Sequence, residues 1–329
     1  MRKLSSLIAS IAMSATALLS LGAGIAHAQN YPQRPVTLIH AYPGGPMDAV
    51  MHVVAERLQA NWGQPVLIET RPGGNEIISA DAVAKAAPDG YTIFVGSEST
   101  FFNNPYLYKS LPYDPDKDLL PVTQLFNIPF GLLISGKLPV RDIGEFVALM
   151  KREGEKHTYG SFGVGNTMHL NMEAFLQAAG VKMRHIPYRV APQLIQDMLG
   201  GTIDAAAGSS VMATRFGKDG KMRMLAIDGD RRQSVLPDVP TFAEAGYPGI
   251  EVRAILGLAV PAGTPADVQA KIQQSFSEVI HDPAFIQKVV VPNGYEIVTS
   301  TPAEFAKSIA AIRPKMEARI RALGVQLEQ

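Results

Sequence analysis

From residue 36 onward, short apolar runs alternate with longer stretches whose apolar positions fall three and four apart. This alternation leaves few architectures open. Parallel strands need a crossover between them, and each crossover helix must bury one face against a sheet. The first series reads strand 36–41, helix 48–62 with Val50, Val53, Val54 and Leu58 on one face, strand 66–69, helix 77–85 and strand 91–95. A second series runs through apolar 132–134, helix 143–152, strand 158–159, helix 168–179, strand 183–186, helix 194–199, and strands 203–207 and 224–227. After a turn-rich loop at 229–249, strand 255–260 and three helices follow. Their starts are Thr264-Pro265 with Asp267, Asp282-Pro283, and Thr301-Pro302 with Glu304. Each half predicts a mostly parallel sheet flanked by helices. Two such halves, with the C-terminal segment returning to the first, suggest two lobes.

The N-terminus obeys a different rule. Met1, Arg2 and Lys3 open the chain, an apolar run covers 4–25, and Ala26-His27-Ala28 places small residues around a larger one. This is the pattern of an export signal cleaved after Ala28; a retained anchor is the alternative, and no stop-transfer pattern accompanies it. The remainder, 29–329, has room for two domains. Lys and Arg number 30 and so do Asp and Glu, so no blanket of positive charge exists to hold nucleic acid or an anionic membrane. Cysteine is absent, which removes thiol catalysis, thiolate metal sites and disulfide staples.

Chemistry-bearing residues collect where strands give way to helices. Tyr42-Pro43-Gly44-Gly45-Pro46-Met47-Asp48 follows the first strand. Ligands of open α/β sheets sit beyond the carboxyl ends of strands, where helix N-termini present free N–H groups. Glycines let those groups approach an anion, and prolines stiffen the loop. By itself the loop reads equally as an anion cradle or a plain tight turn, and Asp48 reads first as a helix cap. It has neither the P-loop ending nor the dinucleotide fingerprint.

Ser161-Phe162-Gly163-Val164-Gly165-Asn166-Thr167-Met168-His169 stands at the corresponding place in the second half, with Asn166 and Thr167 as N-cap candidates. Two opposed helix N-termini of this kind would grip a carboxylate from both sides. Ser97, Glu98, Phe101 and Phe102 after the third strand, and Ser209 after 203–207, lie at the same sheet edges. One of the two phenylalanines is expected in the core; the other is a candidate pocket wall.

Enzyme signatures are missing. His169 and Glu173 share a helix face without a third metal ligand, and Gly-x-Ser-x-Gly does not occur. The remaining histidines are scattered. Glycine, proline and backbone donors suit binding, whereas catalysis needs converging titratable groups.

At these loops the sequence resembles the Bug-type substrate-binding proteins of tripartite tricarboxylate transporters. The marks run along the whole exported portion: Pro43-Gly44-Gly45 with Asp48, Arg71-Pro72-Gly73, Pro88-Asp89-Gly90-Tyr91, Leu111-Pro112-Tyr113-Asp114-Pro115, Tyr159-Gly160-Ser161, Ile186-Pro187-Tyr188, Leu236-Pro237-Asp238-Val239-Pro240 and Pro261-Ala262-Gly263-Thr264-Pro265. The resemblance implies a two-lobed, Venus-flytrap periplasmic-binding-protein fold in the periplasm of a Gram-negative bacterium. It also implies delivery of a small organic carboxylate to membrane-embedded transporter subunits. The carboxylate would be held by backbone groups and ordered waters at Pro43–Asp48 and Gly163–Thr167.

Departures from the family pattern bear on specificity. Tyr42, Met47, Asn166 and Gly208 replace residues the family commonly uses, and Met47 is poorly suited to ordering water. With Tyr42, Phe101 and Phe102, it favours an apolar or aromatic carboxylate such as a benzoate- or phthalate-like acid. Glu98 either faces solvent or, in the pocket, repels a second carboxylate and receives an amino or hydroxyl group. Arg189 and Arg253 are candidate partners for a distal carboxylate.

The expected organisation is a signal peptide at 1–28, one lobe from 29–126 with 255–329, and a second from 127–254. The expected ligand-binding set is Tyr42, Pro43, Gly44, Gly45, Pro46, Met47, Asp48, Ser97, Glu98, Phe101, Ser161, Gly163, Val164, Gly165, Asn166, Thr167, His169 and Ser209. No catalytic residue, metal or cofactor is expected, nor a nucleic-acid partner, and the protein is expected to be a monomer. A receptor for a transporter is the leading reading; a ligand sensor with the same pocket, or a periplasmic enzyme on the same fold, are the alternatives.

Overall fold

The computed structural model describes residues 31–250 and 254–327. The expected export signal at 1–28 and the candidate Arg253 lie outside the described residues. Each apolar run read above is a strand, and each periodic stretch a helix, with ends shifted by one to three residues.

Strands β1 (Val36–His40), β2 (Val66–Thr70) and β3 (Thr92–Gly96) pair in parallel, with β1 in the middle. Helices α1 (Pro46–Trp62) and α2 (Ile77–Ala84) are the crossovers. α1 turns Val50, Met51, Val54, Ala55 and Leu58 into the core, the spacing of one helix face. β4 (Leu119–Ile128) leads through Pro129 into β5 (Phe130–Ser135), the first strand of a second sheet. There α3 (Ile143–Glu153), β6 (Thr158–Ser161), α4 (Thr167–Ala179), β7 (Arg184–Pro187), α5 (Ala191–Gly200), β8 (Ala205–Ser209), α6 (Ser210–Gly217) and β9 (Met222–Ile227) follow in turn. β10 (Ala254–Pro261) returns to the first sheet between β3 and β4. α7 (Ala266–His281), β11 (Glu296–Ile297) and α8 (Pro302–Leu323) complete the chain.

Sheet orders are β11-β4-β10-β3-β1-β2 and β7-β6-β8-β5-β9. The mostly parallel sheets expected from the alternation are instead mixed. Parallel pairing holds where a helix separates consecutive strands, at β1–β2, β1–β3, β6–β7 and β6–β8. Strands on either side of the two passages between sheets pair antiparallel, at β10–β3, β10–β4, β5–β8 and β5–β9. A strand that arrives from the other sheet is not bound by the crossover that forces parallel order.

Each sheet has its own core, one around Leu132, Phe146, Tyr159, Phe175 and Leu225, the other around Leu38, Leu58, Phe126, Leu258 and Phe276. Of the three expected C-terminal caps, two form. Thr301 and Glu304 make a reciprocal capping box, and Asp282 accepts from the Phe285 amide. Thr264 does not cap α7; its hydroxyl donates to the Pro261 carbonyl at 2.7 Å, which leaves Pro265 at the cap position.

Candidate functional site

Both glycine loops face one cavity of about 890 Å³ between the two sheets. The first loop enters α1 with Gly45 as N-cap, in extended backbone and without a side-chain cap, and Pro46 as the first helical residue. The first intrahelical bond runs from the Ala49 amide to the Gly45 carbonyl, 3.2 Å, so the amides of Met47 and Asp48 precede it and have no intrahelical partner. Asp48 is not the cap. It sits a turn inside, where its carboxylate accepts the Gly44 amide at 2.8 Å and lies 3.1 Å from Nε2 of the buried His40. Burial lowers the pKa of His40, with Asp48 opposing.

The second loop is braced more heavily. Asn166 caps α4, accepting the Met168 amide at 2.9 Å. The Gly165 amide donates to Nδ1 of His169 at 3.1 Å. Gly165 has φ +77, and a Cβ there would come within 2.8 Å of Leu107, so glycine is required twice over. The Ser161 hydroxyl lies 2.6 Å from His185 Nε2, and the rings of His169 and His185 each stack on Tyr159 and meet one another at a tilt. Burial lowers both imidazoles to about 4, so at neutral pH they are uncharged hydrogen-bonding groups.

The two walls touch around the cavity. Asn75 Nδ2 donates to the Val164 carbonyl at 2.9 Å and Asn103 Nδ2 to the Thr167 hydroxyl at 3.2 Å. The Tyr42 and Phe162 rings stand 6.0 Å apart, centroid to centroid. α1 and α4 thus bring the positive ends of two helix dipoles to one cleft, the arrangement that favours a bound anion.

Of the expected set, Tyr42, Pro43, Gly45, Pro46, Met47, Ser97, Glu98, Gly163, Val164, Asn166, Thr167 and Ser209 line the cavity. Gly44, Asp48, Ser161, Gly165 and His169 do not line it and act behind it, through the hydrogen bonds given above or, for Gly44, by close approach to Pro192. Phe101 is a correction: it is buried against Phe94 and Phe305, ring centroids 6.0 and 4.9 Å away, and Phe102 is buried with it. The aromatic wall comes from Tyr108, Phe130, Phe162 and Tyr188 instead. Glu98 is buried rather than solvent-facing.

Sequence reasoning passed over Asn75 and Glu76. Both line the cavity with φ of 50° and 74°, and Asn75 is the residue type that tolerates that region. The Pro-Gly-Gly-Asn run was the available signal. Glu76 is held by the Ser97 amide (2.9 Å) and the amide and hydroxyl of Thr100 (3.2 and 2.7 Å). Among the described residues no group of His, Asp or Glu is arranged to hold a metal, and no helix is long and apolar enough to cross a membrane.

Residues 50–325 match the model of the tripartite tricarboxylate transporter family receptor, TctC. A UPF0065 protein of Cupriavidus necator is 33% identical over 319 residues, 96% of either chain. Among solved structures, the periplasmic binding protein BugD is 30% identical with a TM-score of 0.85, over 91% of this chain and all of its own. An R. palustris protein with adipate is 26% identical with a TM-score of 0.86, again over 91% of this chain and all of its own. With a cavity framed by two helix N-termini, two mixed sheets in the two-lobed arrangement of a periplasmic binding protein, and a family match across most of its length, the chain belongs to the TctC family of tripartite tricarboxylate transporter receptors.

Proposed function

We propose that the protein is an exported solute receptor: a small carboxylate binds between the lobes, and the liganded form docks on the membrane subunits of a tripartite tricarboxylate transporter. One observation carries this reading. The first-turn amides of α1, which have no intrahelical partner, and the N-terminus of α4 border one cleft from opposite sheets. Anion capture needs converging donors in a low-dielectric space, and no more. The similar protein that holds adipate supports a carboxylate ligand.

Residues 29–126 with 255–329 form one lobe in this reading and 127–254 the other, exported to the periplasm by cleavage after Ala28. The receptor acts as a monomer and turns nothing over. The titratable groups nearest the loops are committed to structure: His169 to Gly165, His185 to Ser161, and Glu76 to the 97–100 turn.

The walls are largely apolar, with Met47, Ile78, Phe130, Phe162, Ile195 and Met212 among them. The ligand is therefore a carboxylate with an apolar or aromatic body. A thermal-shift screen across aliphatic, hydroxy-, amino- and aromatic acids tests this, since a ligand specific to the native state raises the melting temperature. Benzoate-like acids are expected to outrank citrate; the reverse order would remove the aromatic preference. Failure of every carboxylate would remove the receptor reading, and product formed on incubation would refute the absence of catalysis.

A further inference from the structure

Three charged residues line the cavity among those described, and two are acids. Glu76 and Glu98 are 2% and 7% exposed, whereas the one cation, Arg189, is an exposed residue on the rim. Among the described residues neither acid forms an ion pair. Glu76 has both oxygens occupied by the Ser97 and Thr100 donors. Glu98 differs. One of its oxygens accepts the Ile255 amide at 2.7 Å, and the Thr167 hydroxyl and Glu98's own amide stand near enough to the carboxylate to favour its charged form. A carboxylate has about four acceptor positions, so capacity is left over beside open cavity space. A buried, unpaired carboxylate is costly unless protons or positive charge reach it. Among the described residues no other cation lines the cavity, so beside partial protonation a cationic ligand group is the source of positive charge that the open space admits.

Resting on the carboxylate-receptor reading, we infer that the ligand is an amino-carboxylate, whose anionic end meets the helix N-termini of α1 and α4 and whose ammonium group meets Glu98. Glu98 is then the residue that sets specificity. It accepts a nitrogen donor and repels a second carboxylate, because a dicarboxylate would place like charges together in a space of low dielectric. This separates the protein from the similar one that holds adipate.

Shape-matched probes test the inference by calorimetry. In the aliphatic series they are 5-aminopentanoate, hexanoate and adipate; in the aromatic series, 4-(aminomethyl)benzoate, 4-ethylbenzoate and terephthalate. In at least one series the ammonium probe is expected to bind about tenfold or more tighter than its uncharged isostere, the range of a charged hydrogen bond, and tighter still than the diacid. Glu98→Gln, which keeps the Ile255 contact, is expected to narrow that gap to about twofold while the melting curve shows the protein folded. The comparison within the wild type needs no variant, so it stands even if Glu98→Gln fails to fold. Equal binding of amine and isostere in both series, or a preference for the diacids, overturns the inference while the receptor reading survives. A gap that persists in folded Glu98→Gln also overturns it. Absence of binding by all six probes removes the carboxylate reading and the inference with it.

Discussion

The two glycine loops stand at equivalent places, each between a strand and a helix, yet they are built to opposite plans. The loop before α1 has an uncapped N-terminus, and its one carboxylate, Asp48, turns back to the Gly44 amide. The loop before α4 is occupied by its own side chains, with Asn166 on the Met168 amide and His169 on the Gly165 amide. Donors are open on one wall, and the other wall is held rigid. The buried charge partners differ in the same way. Glu76 and Glu98 line the cavity on the first sheet's side, whereas His169 and His185, kept neutral by desolvation, lie behind the lining on the second's. Similar local sequence therefore does not mean similar duty. A site can divide its work, with one side offering hydrogen bonds and the other fixing position.

The sharpest way to break this comparison is to fill the open loop. Gly45 has extended backbone, and a Cβ there would meet only ordinary contacts at 3.6 and 3.7 Å. Gly45→Asp thus fits, and aspartate is a good N-cap. The melting temperature should hold or rise while carboxylate affinity falls about 100-fold, from a like charge at the cradle. Retained binding measured by calorimetry would show that the α1 amides are not the donors.

The buried ionisable groups give opposite pH dependences in the ligand-free protein. His169 and His185 titrate near 4 when folded, below the ordinary value of 6.5. Their contribution to stability is complete above 6.5 and is lost as pH falls toward 4. Glu98 is pushed up to about 7 from 4.5, chiefly by burial, with Glu76 adding and Thr167 and Ile255 opposing. Its contribution is complete below 4.5 and is lost as pH rises through 7. Melting temperature against pH should therefore flatten on the acid side in His185→Asn and on the neutral side in Glu98→Gln. Unchanged slopes in both would dissolve the contrast between the walls.

The smallest effect is expected at the cap. Asn166→Ala removes the bond to the Met168 amide and should cost about 1 kcal/mol by denaturant melting. It also frees an amide at α4, so affinity should change less than about threefold if the second loop acts mainly by position.

Much of the fold was legible in advance because its causes are local. Apolar spacing placed α1 and α4, and the Thr301–Glu304 box marked the start of α8. β4 went unread because Pro121, Thr123, Gln124 and Asn127 interrupt its apolar run; its pairing with β10 makes it a strand. Phe101 was placed in the pocket because it follows a loop, but Phe305, far along the chain, draws it into the core. Asn75 and Glu76 were hidden by backbone geometry that non-glycine residues rarely adopt.

The amino-acid order alone settled the strand–helix alternation, the positions of both glycine loops and the family resemblance, because propensity, capping and periodicity act within a turn or two. Tertiary structure decided that the two loops share a cavity, that Glu98 is buried beside it, and which aromatics form its wall. Those outcomes depend on contacts such as Glu98 with Ile255 and Asn75 with Val164, 157 and 89 residues apart in the chain. The burial of a charge is set by whatever folds over it, and no local pattern reports that.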